Sequence, residues 1–181
     1  MLLCLRGTPV LYQGDEIGLT DGVFEKDELL DPVGVRFWPH YPGRDPERTP
    51  MPWDAGPNAG FTAAGVTPWI PMAGAPVNVA DQRADPDSVL HFVRDAIALR
   101  RRSPELRHGD YRAAPVRDGL WVWRRAGTLV ALNLSATRHA VTVETPLDTV
   151  ALSTHRAGEG PVVGGSVPLD AWQGVVVTTR A

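Results

Sequence analysis

The feature that most constrains the fold is a short apolar run near the start of the chain, Val10-Leu11-Tyr12. Pro9 precedes this run and Gln13-Gly14 follow it, and the pattern predicts a β-strand. A strand that is apolar on both faces is typical of the buried interior of a parallel sheet, where it has a neighbouring strand on each side. Nothing before Val10 can supply such a neighbour. The pattern therefore predicts a strand whose sheet this part of the chain cannot complete.

Composition excludes several classes of function. The 181 residues are 43% hydrophobic and 22% charged, which is typical of one or two globular domains. The formal net charge of −3 argues against a nucleic-acid partner, and no apolar run reaches the length of a membrane span, so we expect neither nucleic acid nor membrane. One cysteine and scattered histidines predict no disulfide, no metal and no cofactor. The start lacks the pattern of a signal peptide, so we expect a cytoplasmic protein.

A long stretch from Leu19 to Ala84 is rich in proline and shows little hydrophobic periodicity. Stretches of this length without regular structure are either functional loops or disordered linkers. Disordered linkers are poor in aromatic residues, whereas this stretch holds several large ones, among them Phe37, Trp38, Tyr41, Trp53, Phe61 and Trp69. It is therefore predicted to be an ordered loop stiffened by its prolines.

The rest of the chain changes from helical to strand periodicity. Asp85 as N-cap and Pro86 at the first helical position predict a helix that ends before Pro104. Beyond Glu105, apolar residues alternate with polar ones in short segments that predict antiparallel strands: 120–122, 129–132, 140–143, 149–152 and 174–178. These segments predict an antiparallel sheet or sandwich and a domain boundary near Ser103.

Two segments point to chemistry. In the first, Asp15 and Glu16 are adjacent carboxylates just beyond the predicted strand, which is where the active sites of parallel barrels collect. The alternative is that both carboxylates only fix the loop. In the second, which runs from Gly43 to Asp54, prolines stiffen a loop that carries Arg44 and Arg48. A rigidly held guanidinium can bind neighbouring hydroxyls or a carboxylate, but a structural Arg–Asp bridge is an equal alternative.

Together these segments resemble glycoside hydrolase family 13, the α-amylase superfamily, and within it the bacterial α-glucosidases and oligo-1,6-glucosidases. The stretch from Gly7 to Glu16 is similar to the family's Gly-x-Pro…Tyr-x-Gly-x-Glu pattern at the eighth barrel strand. Further similar segments follow in the family's order: 31–39 (DPVGVRFWP), 43–45 (GRD), 48–53 (RTPMPW), 58–62 (NAGFT), 68–71 (PWIP), 78–79 (NV) and 85–90 (DPDSVL). Pro46-Glu47 departs from the Gly-Cys of many relatives.

The resemblance implies a fold of mixed class. Residues 1–104 would be the C-terminal fragment of a catalytic (β/α)8 TIM barrel, namely strand 8, a long substrate-side loop and helix 8. Residues 105–181 would be a C-terminal antiparallel β-sandwich domain.

The resemblance also implies where the catalytic acids lie. The family cleaves α-glucosidic bonds with retention, using an Asp, a Glu and a second Asp after strands 4, 5 and 7. Because this chain resembles only the portion from strand 8 onward, all three acids are expected upstream of Met1, which would then be an internal methionine of the parent enzyme. The resemblance therefore implies that no catalytic residue lies in this chain, and that the chain is inactive alone.

Site residues and partners follow from the same resemblance. It assigns Arg44 to the glucose-binding subsite, with Asp45 and Arg48 either orienting the sugar or bracing the loop, whereas Tyr12 and Trp38 are expected in the core. Asp15 and Glu16 cannot replace the missing acids, because a retaining pair needs carboxyls about 5–5.5 Å apart across one glycosidic bond. The implied partners are α-linked glucosides or oligosaccharides and a separately encoded N-terminal half, such as a split or truncated gene would leave.

Two alternative functions remain open from the sequence. The parent could be another family 13 enzyme, such as an α-amylase, a trehalose synthase or a sucrose isomerase. The chain could instead be a non-catalytic carbohydrate-binding or structural β-domain, in which Trp121, Trp123 and Trp172 stack on sugars. Trp121 and Trp123 share one strand face at a spacing of two, and we expect that face to be core.

Overall fold

The computed structural model describes residues 1–72, 77–143 and 148–179. Residues 73–76 of the predicted long loop lie outside the described residues. The helices are α1 (Pro32–Phe37), α2 (Val79–Ala84), α3 (Val89–Arg102) and α4 (Pro104–His108), with single 3-10 turns at Leu2–Cys4, Asp15–Ile17, Lys26–Glu28, Pro46–Arg48 and Pro57–Gly60. The strands are β1 (Arg112–Ala113), β2 (Leu120–Arg125), β3 (Thr128–Asn133), β4 (His139–Thr142), β5 (Asp148–Ser153), β6 (Gly160–Pro161), β7 (Ser166–Leu169) and β8 (Gly174–Thr179). In the described ranges, no helix is both long enough and apolar enough to cross a membrane.

The chain divides into two compact units. The β-rich unit comprises residues 1–10 and 92–181, and the loop unit comprises residues 11–91. This division differs from the boundary near Ser103 that the change in periodicity suggested. The difference arises because Ala96 and Leu99 of α3 pack with Trp123, Val130 and Val176 of the strands in one apolar cluster.

The β-rich unit contains two antiparallel sheets. The larger sheet has six strands in the order β1-β2-β3-β8-β5-β6, and the smaller one pairs β4 with β7. The hairpin of β2 and β3 turns at Ala126-Gly127, with Trp123 opposite Val130. The strands predicted at 120–122, 129–132, 149–152 and 174–178 are thus confirmed as antiparallel strands, and the one predicted at 140–143 is confirmed up to Thr142.

Both faces of the larger sheet are buried. Along β3, Leu129 and Ala131 face one apolar cluster that also holds Val141 and Leu169 of the smaller sheet. Val130 faces the opposite cluster, which is completed by helices α3 and α4. The unit therefore has three layers, and the period-two side-chain alternation of a strand supplies each face with its own apolar set.

The tryptophans of the β-rich unit differ in how far they are buried. Trp123 is fully buried and its ring lies 4.8 Å from that of Trp121, measured between centroids. Both rings belong to the cluster under α3. The expectation that they form core is confirmed, and they offer no platform to a sugar. Trp172, by contrast, is 65% exposed.

Two arginines tie the first residues of the chain to the β-rich unit. Arg100 donates to the carbonyls of Leu3, Leu5 and Gly7 at 2.8, 3.1 and 2.6 Å. Arg125 is fully buried and donates to the carbonyl of Cys4 at 3.3 Å. Burial raises the pKa of the Cys4 thiol, against the smaller opposing effects of the N-terminal ammonium and both guanidinium groups. No helix continues beyond the Leu2–Cys4 turn to supply N–H donors for its last carbonyls, and the two arginines supply donors instead.

The loop unit is held by two small apolar clusters and by side-chain hydrogen bonds. Ile17, Met51 and Val79 form one cluster, and Phe24 packs with Leu29, Ile70 and the half-buried Trp38 in the other. Gln82 donates to the carbonyl of Ile17 at 2.7 Å. The stretch from Leu19 to Ala84 is therefore ordered over its described residues, as predicted, and Trp38 packs in the core as expected.

The prediction of a buried strand at Val10-Leu11-Tyr12 is wrong. These three residues take no regular secondary structure, and Val10 and Tyr12 are 77% and 51% exposed. The expectation that Tyr12 packs in the core is wrong for the same reason. Strand hydrogen bonds need a partner strand, and none of the described strands pairs with this segment.

The predicted start of the long helix is also wrong. Helix α3 begins at Val89, and Asp85 instead ends α2. The Asp85 carboxylate accepts the N–H of Asp87 at 2.9 Å, which makes a tight turn rather than a helix cap. The Ser88 hydroxyl then accepts the N–H of His91 at 3.4 Å and fills the capping role.

Candidate functional site

The loop that carries Arg44 and Arg48, residues 43–54 and called the arginine loop below, is built around a buried carboxylate. Asp45 is 1% exposed, and its Oδ2 accepts the N–H groups of Leu30 and Asp31 at 2.6 and 2.7 Å. Its own carbonyl accepts the N–H of Arg48 at 2.9 Å and starts the 3-10 turn Pro46–Arg48. Asp45 therefore braces the loop, and its side chain faces inward rather than toward a ligand.

A second carboxylate, that of Asp31, joins this loop to helix α1. Its Oδ1 accepts the N–H of Val33 at 2.9 Å as the helix cap, and its Oδ2 accepts the N–H of Arg44 at 3.0 Å. The Arg44 Nε lies 3.9 Å from the same oxygen. These contacts, first the Val33 N–H and then the Arg44 N–H, lower the pKa of Asp31 below its usual value. The carboxylate is thus held ionised between the cap and the arginine loop.

Helix α1 touches the arginine loop at two glycines. A Cβ on Gly34 would lie 2.1 Å from the carbonyl oxygen of Pro42, and a Cβ on Gly43 would lie 2.9 Å from Asp31 Oδ2. Gly43 also has φ of +77°, a left-handed conformation that favours glycine. The loop therefore approaches the helix backbone more closely than any side chain would permit.

The braced loop presents one guanidinium to solvent. The Arg44 side chain is 62% exposed, whereas that of Asp31 beside it is 8% exposed. Arg48 is half-buried two residues beyond Pro46. Because backbone contacts at both ends hold Arg44, its donors can bind hydroxyls or an anion at a low entropic cost for the backbone.

A cleft of about 200 Å³ lies beside the 3-10 turn of the arginine loop. Residues from two segments, 12–21 and 46–49, form its walls. A hydrogen bond from Gln13 Nε2 to the Thr49 carbonyl, at 3.1 Å, joins the two segments. The lining is polar and includes the exposed ring of Tyr12 and three carboxylates: Asp15, Asp21 and Glu47. Such a lining suits a ligand rich in hydroxyls. The sequence did not point to this cleft, because its walls come from segments about 30 residues apart.

The adjacent carboxylates Asp15 and Glu16 fix their own loop. Asp15 Oδ2 accepts the N–H of Tyr12 at 2.8 Å, and Glu16 Oε2 accepts the N–H of Gly14 at 2.9 Å. The interpretation that they hold the loop is therefore confirmed. Within residues 1–72, 77–143 and 148–179, no three His, Cys, Asp or Glu side chains come together in a way that could hold a metal ion.

Met1 marks the point before which the catalytic acids are expected, and it is not itself a site residue. It belongs to the β-rich unit, is 60% exposed, and its carbonyl accepts the N–H of Cys4 at 2.9 Å to start the Leu2–Cys4 turn. A thioether side chain can neither donate a proton nor act as a carboxylate nucleophile. The described residues do not test whether the catalytic acids lie upstream of Met1, so this placement stays a prediction.

Comparison with known proteins identifies relatives that match much of the chain. The family model described as Alpha-amylase, "Alpha amylase, catalytic domain", matches residues 1–109. A "Probable alpha-glucosidase" of Rhizobium meliloti (strain 1021) is 35% identical over 95% of this chain and 32% of that protein. An "Oligo-1,6-glucosidase" of Parageobacillus thermoglucosidasius is 36% identical over 69% of this chain and 25% of that protein.

Solved structures match over nearly the full chain. An alpha-glucosyl transfer enzyme is 34% identical with a TM-score of 0.84, covering 99% of this chain and 34% of that one. The trehalulose synthase of Pseudomonas mesoacidophila MX-45 is 26% identical with a TM-score of 0.84, covering 99% of this chain and 37% of that one. The chain thus spans between 25% and 37% of the length of these curated and solved relatives.

Proposed function

This chain belongs to the alpha-amylase family, and on that premise we propose that it is the C-terminal portion of a retaining α-glucosidase. In this proposal, residues 1–104 supply the substrate-side loop and last helix of a (β/α)8 barrel, and the segment 10–12, which takes no regular structure in this chain, pairs as the last strand only in the complete barrel. Residues 105–181 form the C-terminal β-sandwich domain. The family match over residues 1–109 supports this division. The antiparallel strands that begin at Arg112 support it as well.

The observation that carries the proposal is the exposed guanidinium of Arg44 on a braced loop. Asp45 and Asp31 hold the loop backbone on either side of it through N–H contacts. In the proposed site, Arg44 donates to hydroxyls of the terminal glucose, while Asp45 and Arg48 position the loop. A hydrogen bond to a charged group contributes about 1.5–3 kcal/mol, which corresponds to roughly 10- to 150-fold in affinity.

We propose that the bond-breaking acids are not among these residues and belong to polypeptide upstream of Met1. Asp15 and Glu16 are engaged with the backbone of their own loop, and Asp45 is buried beneath two N–H groups. A retaining mechanism needs two carboxyls facing each other about 5–5.5 Å apart with a glycosidic bond between them. In this proposal the chain alone is inactive, and a second polypeptide with the rest of the barrel completes the site.

The proposed substrates are α-linked glucosides of the maltose or isomaltose type. The names of the relatives at 35% and 36% identity support hydrolysis of such bonds. A second candidate is a parent of sucrose-isomerising type, which the structural match to trehalulose synthase favours at a lower identity of 26%. The two candidates share the first step, in which an α-glucosyl group is bound.

The test is an assay of the 181-residue chain with p-nitrophenyl α-glucoside, maltose, isomaltose and sucrose. We expect no turnover above the enzyme-free rate for the chain alone. Co-expression with the N-terminal two thirds of the Rhizobium meliloti relative should restore release of glucose. In that complex, Arg44→Ala should raise KM by roughly 10- to 150-fold.

Three outcomes would contradict the proposal. Robust turnover by the chain alone would show that it contains its own acids. Co-expression without any gain in activity would show that this chain does not complete such a barrel. An Arg44→Ala complex with an unchanged KM would remove Arg44 from the sugar site.

A further inference from the structure

The turn between β7 and β8 contains a tryptophan in an unusual backbone conformation. Trp172 has φ of +59°, although this left-handed region favours glycine or asparagine. The N–H of Gln173 donates to the carbonyl of Asp170 at 3.3 Å and closes the turn around Trp172. Despite this strained backbone, the Trp172 side chain is 65% exposed and does not serve the core.

Neighbouring residues hold the turn in place. The Gln173 side chain accepts the N–H of Asp170 at 2.7 Å, and Asn133 Nδ2 donates to the Asp170 carbonyl at 2.7 Å. The N–H of Trp172 itself donates to the carbonyl of Ser135 at 3.1 Å. A strained conformation that its surroundings over-determine is typical of a functional position. Here the result is an indole ring held out in solvent on a rigid turn.

Polar groups that suit sugar hydroxyls lie on this turn and on the adjoining segment between β3 and β4. Arg138 Nε donates to Asp170 Oδ1 at 2.6 Å, and both side chains are exposed. Ser135, whose carbonyl accepts the Trp172 N–H, has its hydroxyl 3.2 Å from Nε2 of His139. A guanidinium–carboxylate pair offers several donors and acceptors in a fixed arrangement. Such a pair matches the adjacent hydroxyls of a pyranose ring.

We propose that Trp172, Arg138 and Asp170 form a binding site for α-linked glucose oligomers on the β-rich unit. The indole face would stack on the C–H face of a glucose ring, and the Arg138–Asp170 pair would bind its hydroxyls. The ligand class rests on the proposed function, whereas the site itself rests on the turn geometry. The site holds a substrate chain and takes no part in bond cleavage.

The test uses the full 181-residue chain, titrated with maltotetraose and isomaltotetraose by calorimetry and by tryptophan fluorescence. Trp172→Gly removes the ring and also relieves the backbone, because glycine prefers positive φ. We expect its thermal midpoint to be no lower than that of the parent chain and its affinity to fall by about tenfold or more. Trp172→Tyr, which keeps an aromatic face, should stay within about threefold of the parent affinity.

Matched controls separate this site from the arginine loop. Trp53→Ala removes another exposed tryptophan, which lies in the loop unit, and should leave the affinity unchanged. A failed cleavage test would therefore remove the proposed function without affecting this binding, and the reverse holds too.

The proposal is overturned by any of three results. The first is the absence of saturable binding by the parent chain at millimolar oligosaccharide. The second is a Trp172→Gly variant that folds and binds as well as the parent. The third is equal binding of the β-linked cellotetraose, which would show stacking without selection for α-linked glucose.

Discussion

Replacing Asp45 tests whether a buried carboxylate braces the arginine loop. One oxygen of this side chain accepts the N–H groups of both Leu30 and Asp31. Asp45→Ala leaves both donors without their acceptor in a site that is almost closed to water. Asp45→Asn keeps an oxygen that can accept both N–H groups and removes only the charge, so it is the matched control.

The magnitude follows from the two hydrogen bonds. Each bond to a charged acceptor contributes about 1.5–3 kcal/mol, so the alanine variant loses about 3–6 kcal/mol as an upper bound. Amide protons of Leu30 and Asp31 should then exchange roughly two to four orders of magnitude faster. Neutral hydrogen bonds contribute about 0.5–1.5 kcal/mol each, so the asparagine variant should keep a large part of the protection.

The assay is residue-resolved amide hydrogen exchange by NMR on the full chain. Glu47→Ala, which changes an exposed carboxylate of the same loop, should leave both amides as protected as in the parent. Unchanged protection of Leu30 and Asp31 in Asp45→Ala would refute the bracing role. Equal losses in the alanine and asparagine variants would show that charge, rather than the acceptor oxygen, holds the loop.

Three further predictions concern the close contacts and the buried groups. Gly34→Ala should lower the free energy of unfolding by about 1–3 kcal/mol or more in urea titrations, because its Cβ would meet the Pro42 carbonyl oxygen at 2.1 Å. Asp31 has a pKa lowered from 3.8, so its stabilisation is present above that pH and is lost as the pH falls through the lower folded value. Urea unfolding from about pH 5 to about pH 2.5 should therefore show a smaller loss of stability in Asp31→Asn than in the parent. The buried Cys4 thiol, whose pKa burial raises, should react slowly with Ellman's reagent. Arg125→Met should speed this reaction, because it removes one of the two hydrogen bonds to the Cys4 carbonyl and leaves only that from Trp123 Nε1; an equal rate in both proteins would show that Arg125 does not hold this turn.

The strands of the β-rich unit could be predicted because their signal is local. Alternation along Leu129-Val130-Ala131-Leu132 and the turn at Ala126-Gly127 specify a hairpin from neighbouring residues alone. The start of helix α3 was harder, because Asp85 and Ser88 both resemble caps. Which of them begins the helix depends on where the preceding helix α2 ends.

The candidate site was predicted only in part. The motif pointed to Arg44, Asp45 and Arg48 as one group, and the structure separates their surroundings. Asp45 is buried under backbone N–H groups, whereas Arg44 faces solvent. Residue type and spacing could not distinguish these environments, because burial is set by Leu30 and Asp31, which lie more than ten residues earlier.

The amino-acid sequence by itself determined the family, the order of the antiparallel strands along the chain and the identity of the loop that carries Arg44. These properties depend on patterns among neighbouring residues or on motifs in a fixed order. Tertiary structure alone decided that Val10-Leu11-Tyr12 stays unpaired and that Trp172 stands exposed in a left-handed turn. Strand pairing and the hydrogen bonds that hold a strained turn join residues distant in sequence, so no local pattern can encode their outcome.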